Sequence, residues 1–444
     1  MAIIRDPSLF SWKNVESKSD LDRLLLVLEA LPDEGLMVRL EQRRGRGRDD
    51  YPVRAMWNSL LAGVVFQHES VESLRRELSR NGELRDLCGL DPLGGAETVP
   101  SSDAYSRFLK NLIREPVMIE EIFDLLLGEL TKLLPDLGQH LAVDSKAIET
   151  YARGRKDPAH SSDQDADWGR KTKRGKRADT TMWEQVTKWF GYKLHLVVDS
   201  HYELPLAWKL TKASRSDHPE LIPLVKDLRK RHPDRIEVAQ DLSADKGYDS
   251  TRNNAWLWDE CGIKPLIDIR SMWKEKETRL LEDREADNVV YDEVGQLYCH
   301  CPDSGQRRQL AYQGFEKDRQ CLKYRCPAAA YDFRCAGRRE CGRGHYGGYG
   351  RVVRIPLEKD RRIFTPIARS SYAWSRGYKR RSAVERVNSR LDGSFQFERH
   401  YIRGHKKMQF RVGLALVVML ALAVGHIQAG EKEKMRSLVQ PRAA

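Results

Sequence analysis

Over residues 1–138 apolar positions recur three and four apart, in stretches such as LDRLLLVLEAL and VMIEEIFDLLLGELTKLL, which predicts a run of amphipathic helices. Within it VESLRRELSRNGELRDLCGL and, after DPLGGAETVP, SSDAYSRFLKNLIRE read as two helical units, the second opened by a Ser/Asp cap signal. From residue 139 the period shortens. HLAVDSKAIE, GYKLHLVVDS and LPLAWKLTKAS read as strands, HPELIPLVKDLRKRH as a helix, IEVAQDLSADKGYDS as a strand and turn, TRNNAWLWDECG as a helix and KPLIDIR as a strand. Three strands followed by helix, strand, helix, strand is an α/β order.

Two segments break this pattern. DQDADWGRKTKRGKRADTTMWEQVTK, between the first and second strands, is polar and long, and is expected to be a mobile or DNA-facing loop. Residues 273–368 are charged, Cys-rich and Gly-rich, after which a helical pattern resumes at YKRRSAVERVNSRL. The expected division is a helical domain over 1–138, an α/β domain over 139–272, a Cys-rich insert over 273–368 and the remainder of the α/β domain over 369–430. Val412–Val424 is apolar but shorter than the roughly 20 residues that cross a bilayer, so a buried core helix is expected there and no membrane partner.

Charge narrows the class of partner. Lys and Arg number 77 against 65 Asp and Glu, a net +12, which favours a polyanion. Residues 369–411 alone hold twelve Lys and Arg against Glu385, Asp392 and Glu398. Arg75, Arg76, Arg80, Arg107 and Lys110 are candidate DNA contacts in the helical region, which reads equally as a packing or dimerisation module. The N-terminus lacks a basic stretch followed by an apolar run, so a cytoplasmic, nucleoid-associated protein is expected.

Three carboxylates stand where the pattern places the ends of elements in one α/β core. Asp144 interrupts an apolar strand, where an unpartnered charge is costly and a cation would relieve that cost. Asp245 follows the fourth strand, with Gly247 permitting a tight turn. Glu385 lies on the helix after the insert, where Tyr378, Arg381 and Glu385 fall on one side and Val384, Val387 and Leu391 on the other.

In these residues the chain resembles the insertion-sequence transposases of the DDE class: an Asp in a strand, a D-x-G-Y-D turn over Asp245 to Asp249, and a helix with Tyr378, Arg381 and Glu385 in spacing. The resemblance implies a ribonuclease-H-like catalytic domain, a mixed sheet with flanking helices, interrupted by the Cys-rich insert and preceded by the all-helical N-terminal domain. It implies Asp144, Asp245 and Glu385 as ligands of Mg²⁺, with Mn²⁺ as a substitute, and cleavage of element ends followed by joining of the 3′ hydroxyls to target DNA in two-metal phosphoryl transfer. Tyr378 and Arg381 would position phosphate. The best-matched subgroup carries Lys or Arg seven residues after the Glu, where this chain has Asp392, so Arg386 or Arg390 is expected to take that role. Trp273 is the candidate for stacking a flipped base. Double-stranded DNA and a homodimer on the element ends are the implied partners.

Six of eight cysteines fall in the insert: Cys299, Cys301, Cys321, Cys326, Cys335 and Cys341, with His300 and His345 nearby. None of the spacings is C-x2-C, but six soft ligands in a short span are candidate zinc ligands, and Arg338, Arg339, Arg343, Arg351 and Arg354 give the insert a basic character. Two other readings remain open: a nuclease of the same fold without strand transfer, and a zinc-stabilised DNA-binding regulator with no catalysis.

Overall fold

A computed structural model describes residues 20–45, 50–155, 157, 160–177, 181–274, 276–281, 288–338, 341 and 349–436. Arg339, Arg343 and His345 lie outside the described residues. The first part is helical, as the 3.6-residue period predicts: α1 (Asp20–Ala30), α2 (Glu34–Arg44), α3 (Val53–Val65), α4 (Val71–Arg80), α5 (Gly82–Cys88), α6 (Ser102–Ile113) and α7 (Pro116–Leu133). Hydroxyl and amide side chains set the starts of three of them. Ser70 caps α4 through the Ser73 N–H at 3.2 Å, Asn81 caps α5 through Leu84, and Ser101 caps α6 through Ala104.

The sheet follows, built from β1 (His140–Glu149), β2 (Asp167–Lys176), β3 (Met182–Asp199), β4 (Pro205–Lys212), β5 (Asp241–Ala244) and β6 (Lys264–Ile267). α8 (Leu221–Arg231) and α9 (Pro233–Glu237) lie between β4 and β5, and α10 (Thr251–Asp259) between β5 and β6. The path across the sheet is β2-β3-β1-β5-β6, with β4 also on β3. β3 runs antiparallel to β1 and β4, whereas β1, β5 and β6 are mutually parallel.

Two expectations are corrected here. The polar stretch expected as a loop is a β-hairpin: β2 pairs with the first half of β3 from Asp167 opposite Gly191 to Lys176 opposite Met182. Its glycines explain how so polar a sequence holds strand geometry, since a Cβ at Gly169 would meet the Trp189 ring at 2.3 Å and one at Gly175 the Trp183 ring at 2.5 Å. Each indole lies over a bare backbone across the ladder and supplies the packing that the glycine lacks. At Gly191, φ +158°, β3 changes partner from β2 to β4, and a Cβ there would stand 2.2 Å from the Ile148 carbonyl. The second correction concerns IEVAQ, expected as the start of a strand: Pro233 instead opens the short α9, and β5 is confined to Asp241–Ala244.

The insert has its own core. Its strands β7 (Thr278–Leu280), β8 (Val289–Asp292), β9 (Leu297–His300), β10 (Arg307–Gln309), β11 (Ala311–Glu316), β12 (Cys321–Arg325) and β13 (Val352–Pro356), with α11 (Pro327–Ala330), form two sheets, β10-β9-β8-β7 and β11-β12-β13. Val289, Leu297, Leu322, Tyr324, Ile355 and Phe364 form the centre of a cluster separate from the main core.

After the insert come α12 (Tyr372–Tyr378), α13 (Ser382–Phe395) and α14 (His405–Gln428). α14 is long and apolar enough to cross a membrane, yet it is buried without a break from Val412 to His426. It packs on α7, α1, α3 and β4, as a helix that is apolar all round should. The expected boundary near 138 is therefore not a break in the core, because the helical region and the sheet share one continuous hydrophobic cluster.

Candidate active site

The parallel β1/β5 ladder ends with Val143 opposite Ala244, so the next residues, Asp144 within β1 and Asp245 just past β5, stand side by side. Asp245 caps the turn that follows, accepting from the Gly247 N–H at 2.8 Å. Gly247 is needed for room: a Cβ there would stand 2.8 Å from Asp245 Oδ1 and 3.4 Å from Asp217 Oδ2. Asp144 accepts from the Ser145 N–H at 2.8 Å, but burial first, and the Asp245 charge second, push its carboxyl up to about 6. Lys171 and Arg381 oppose that shift. Lys171 lies on β2, so the basic hairpin contributes charge to this site.

Glu385 faces the pair through an arginine. Arg381 Nη2 donates to Glu385 Oε1 at 2.6 Å, while its Nη1 lies 3.7 Å from Asp144 Oδ2. Among the described residues no three His, Cys, Asp or Glu side chains already stand close enough to share a metal ion, and Glu385 is hydrogen-bonded to Arg381. The expected single helical face is also divided. Tyr378 ends α12, a 3-10 turn spans Lys379–Arg381, and Glu385 sits in the first turn of α13. Arg381 still lies over the Tyr378 ring, 5.9 Å from its centre.

Arg386 and Arg390, expected at the phosphate, are engaged within the chain. Both reach the opposite side of α13 and bind Glu203, in the β3–β4 turn, at 2.6 and 3.1 Å, where Arg436 joins them at 3.4 Å. Asp392 is instead the partner of Lys146, one pleat along β1 from Asp144, with Nζ to Oδ2 at 2.6 Å. Asp249, the last residue of the D-x-G-Y-D turn, accepts from Arg362 at 2.8 Å and from the Arg270 N–H at 3.0 Å, which ties the turn to both ends of the insert.

Trp273 packs on the edge of the insert's core beside Tyr291, with the Arg279 guanidinium 3.8 Å from its ring centre, so its ring is already engaged. The aromatic surface next to the candidate helix is a different one: Trp374 stacks on Tyr378 with centres 4.6 Å apart and planes 10° from parallel. Sequence reasoning missed it, although Trp374 and Tyr378 are four apart in a helix, a spacing that places rings together. It also missed Asp217, which binds Lys193 at 3.0 Å and, with Asp144 and Asp245, surrounds the buried Tyr248 phenol.

Much of the basic segment is engaged within the chain. Arg369 is buried against the Ile267 and Ile363 carbonyls, Arg380 binds Asp241 at 3.2 Å, Arg399 faces Glu69 and Arg403 donates to the Tyr151 carbonyl. Arg376, Lys379, Lys406 and Lys407 are exposed. In the helical region Arg75 and Arg80 pair with Glu72 and Glu77, and Arg76, Arg107 and Lys110 are exposed. In the insert, Cys299, Cys301, Cys326, Cys335 and Cys341 surround one small cavity, and Cys321 lies elsewhere beside Glu316.

No curated protein matches the chain. A solved structure, the piggyBac transposase synaptic complex with hairpin DNA, is similar at 12% identity and a TM-score of 0.37, over 96% of this chain and 80% of that one. Residues 13–111 match a family model described as a transposase domain (DUF772). Residues 135–421, from just before β1 to within α14, match the transposase DDE domain, and the chain therefore belongs to the DDE transposase family.

Proposed function

We propose that this chain cleaves the ends of an insertion sequence and joins the freed 3′ hydroxyls to target DNA by in-line phosphoryl transfer, with Asp144, Asp245 and Glu385 as ligands of two Mg²⁺ or Mn²⁺ ions. The observation that carries the reading is the Asp144–Asp245 pair just past the last rung of the parallel β1/β5 ladder, with Asp144 pushed up to about 6 by burial and by its neighbour. Two half-buried acids side by side are unfavourable unless a cation joins them, and carboxylate oxygens are the donors that Mg²⁺ prefers. Bound there, such ions would supply an activated oxygen nucleophile and stabilise the leaving 3′ oxygen.

The protein's own part is to present and release charge. Arg381 holds Glu385 and faces Asp144, so an entering phosphate would compete for its guanidinium and free Glu385 to turn toward the aspartates. The antiparallel β4-β3-β1 edge followed by parallel β5 and β6 supports the ribonuclease-H-like assignment. Lys171, Arg376 and Lys379 are the cations we assign to the DNA backbone near the site, with Arg76, Arg107 and Lys110 on the helical region. The Trp374–Tyr378 stack offers a surface for an unpaired base. A homodimer on paired ends and a nucleoid location complete the reading.

The test uses end-labelled DNA bearing the element termini, both intact and pre-cut. Asp144→Asn, Asp245→Asn and Glu385→Gln should each lose cleavage and strand transfer while retaining DNA binding. Joining of pre-cut ends separates a transposase from a nuclease of the same fold. An Asp144→Asn protein that still cuts in Mg²⁺ near the wild-type rate would overturn the reading.

A further inference from the structure

Five of the insert's six thiols, brought in from four separate segments, converge on a single cavity of about 30 Å³. Cys299 and Cys301 come from β9 and the residues after it, Cys326 from the start of α11, Cys335 from the chain beyond α11, and Cys341 from further on. None is in a disulfide. Thiols are small apolar groups that pack anywhere in a core, so convergence of five from a 43-residue span needs a cause beyond packing.

We propose that Cys301, Cys326, Cys335 and Cys341 are the four thiolate ligands of a structural zinc ion that closes the insert.

The hydrogen bonding around Cys301, Cys335 and Cys341, and the place of Cys326 beside them, point to these four. Cys301 Sγ accepts from the Ser304 N–H at 3.4 Å and the Gly337 N–H at 3.3 Å. A Cβ at residue 337 would stand 2.8 Å from that sulfur, so the glycine lets the backbone approach it. Cys341 Sγ accepts from Asn288 Nδ2 at 3.5 Å and from Arg351 Nη1 at 3.8 Å. Donors aimed at sulfur favour the thiolate, the form in which cysteine binds metal. Cys335 hydrogen-bonds Cys301 and lies near Cys326, which links the two halves of the set.

Cys299 shares the cavity wall and lies near Cys326, Cys335 and Cys341, but it also packs on the hydrophobic core of the insert, which holds it as a packing thiol. Cys321, in β12, lies 3.6 Å from Glu316, which Arg354 also holds, and has no place on the cavity wall.

Four thiolates in a closed set suit tetrahedral zinc, and the neighbouring Arg351 and Arg308 offset the net negative charge of such a centre. Among the described residues no three ligands already stand at the separation that an ion requires, so ion binding would rotate the thiols inward and release their protons. The centre would join the two sheets of the insert beside its hydrophobic cluster. That position gives a 14-residue cluster the cross-link that a small core needs. This inference stands independently of the transposition chemistry.

The experiment takes the full-length chain, purified without chelator, and measures zinc by elemental analysis and Co²⁺ substitution by absorption. One zinc per chain and a tetrahedral thiolate spectrum with Co²⁺ are expected. Ser substitution at Cys301, Cys326, Cys335 or Cys341 should abolish the bound equivalent, and Cys299→Ser and Cys321→Ser should retain it. Because the first four variants can fail to fold, the wild-type chain is also alkylated with and without chelator. Chelation should increase labelling at those four cysteines and not at Cys321, as read by peptide mass spectrometry. A metal-free protein that takes up neither Zn²⁺ nor Co²⁺, loss of metal in Cys299→Ser or Cys321→Ser, or labelling that ignores chelator would each overturn the assignment.

Discussion

Removing the Asp144 charge should make the metal-free protein more stable while destroying its activity. The carboxyl is moved from its ordinary 3.8 to about 6, chiefly by burial and then by Asp245. A shift of about two units corresponds to about 3 kcal/mol of strain in the ionised folded state. The folded value is the raised one, so this cost is fully present above pH 6, declines as pH falls, and is gone below 3.8, where the acid is neutral in both states. Asn keeps an acceptor for the Ser145 N–H and carries no charge. In chelator at pH 8, Asp144→Asn should therefore gain about 1–3 kcal/mol, a gain roughly halved by pH 5. Urea unfolding of both proteins at the two pH values measures it, and added Mg²⁺ should narrow the gap by stabilising only the wild type. A variant no more stable than wild type at pH 8, or a gain of equal size at pH 5, would refute the argument that Asp144 is strained by its own charge.

Other expectations follow from the same contacts. Glu203→Ala leaves Arg390, whose side chain is only 15% exposed, without its carboxylate and should cost about 3 kcal/mol in urea unfolding, whereas Arg386→Ala, on a half-exposed side chain, should cost under about 1 kcal/mol. Lys171→Ala removes a cation that lowers the Asp144 value, so the acid limb of the cleavage–pH profile should move to higher pH; an unmoved limb would detach the hairpin from the site. In DNA binding, Arg376→Ala with Lys379→Ala should reduce the slope of log K against log salt by about two, and Arg386→Ala with Arg390→Ala should leave it nearly unchanged, because the second pair is bound to Glu203.

What was legible in the sequence was whatever local periodicity encodes. β1 occupies His140–Glu149, the segment read from alternation, and the buried helix around Val412–Val424 is present, extended to His405–Gln428 because its flanks are polar only at the surface. The two aspartates were legible because a charge inside an apolar strand and a glycine turn are both local signals. The hairpin was missed since its stability comes from Trp183 and Trp189 lying across from glycines, a relation between residues on different strands. The contacts of Arg386 and Arg390 were not legible for the same reason: their partner, Glu203, lies more than 180 residues away. Net charge along a segment records how many cations are present, and only the fold decides which of them are already neutralised.

Asp392 shows how a departure from a family pattern can keep the contact while moving the charge. Glu385 and Asp392 are seven residues apart on α13, nearly two full turns, so they share one face of the helix. Asp144 and Lys146 are two apart on β1 and share one face of the sheet. The pairing is crossed in sign: Asp144 meets Arg381, which holds Glu385, and Lys146 meets Asp392 at 2.6 Å and Glu398 at 3.4 Å. The cation that the resemblance places on the helix here stands on the strand, and the acid stands on the helix. A rotation of α13 about its axis, or a slide by one turn, would break the Lys146–Asp392 contact, with Lys146 only 9% exposed, and strand its ammonium in a nearly dry position. That contact fixes the face that α13 presents to β1. On the proposed reading, what remains adjustable is the side-chain geometry of Glu385 and Arg381, which the Arg381–Glu385 contact at 2.6 Å now sets.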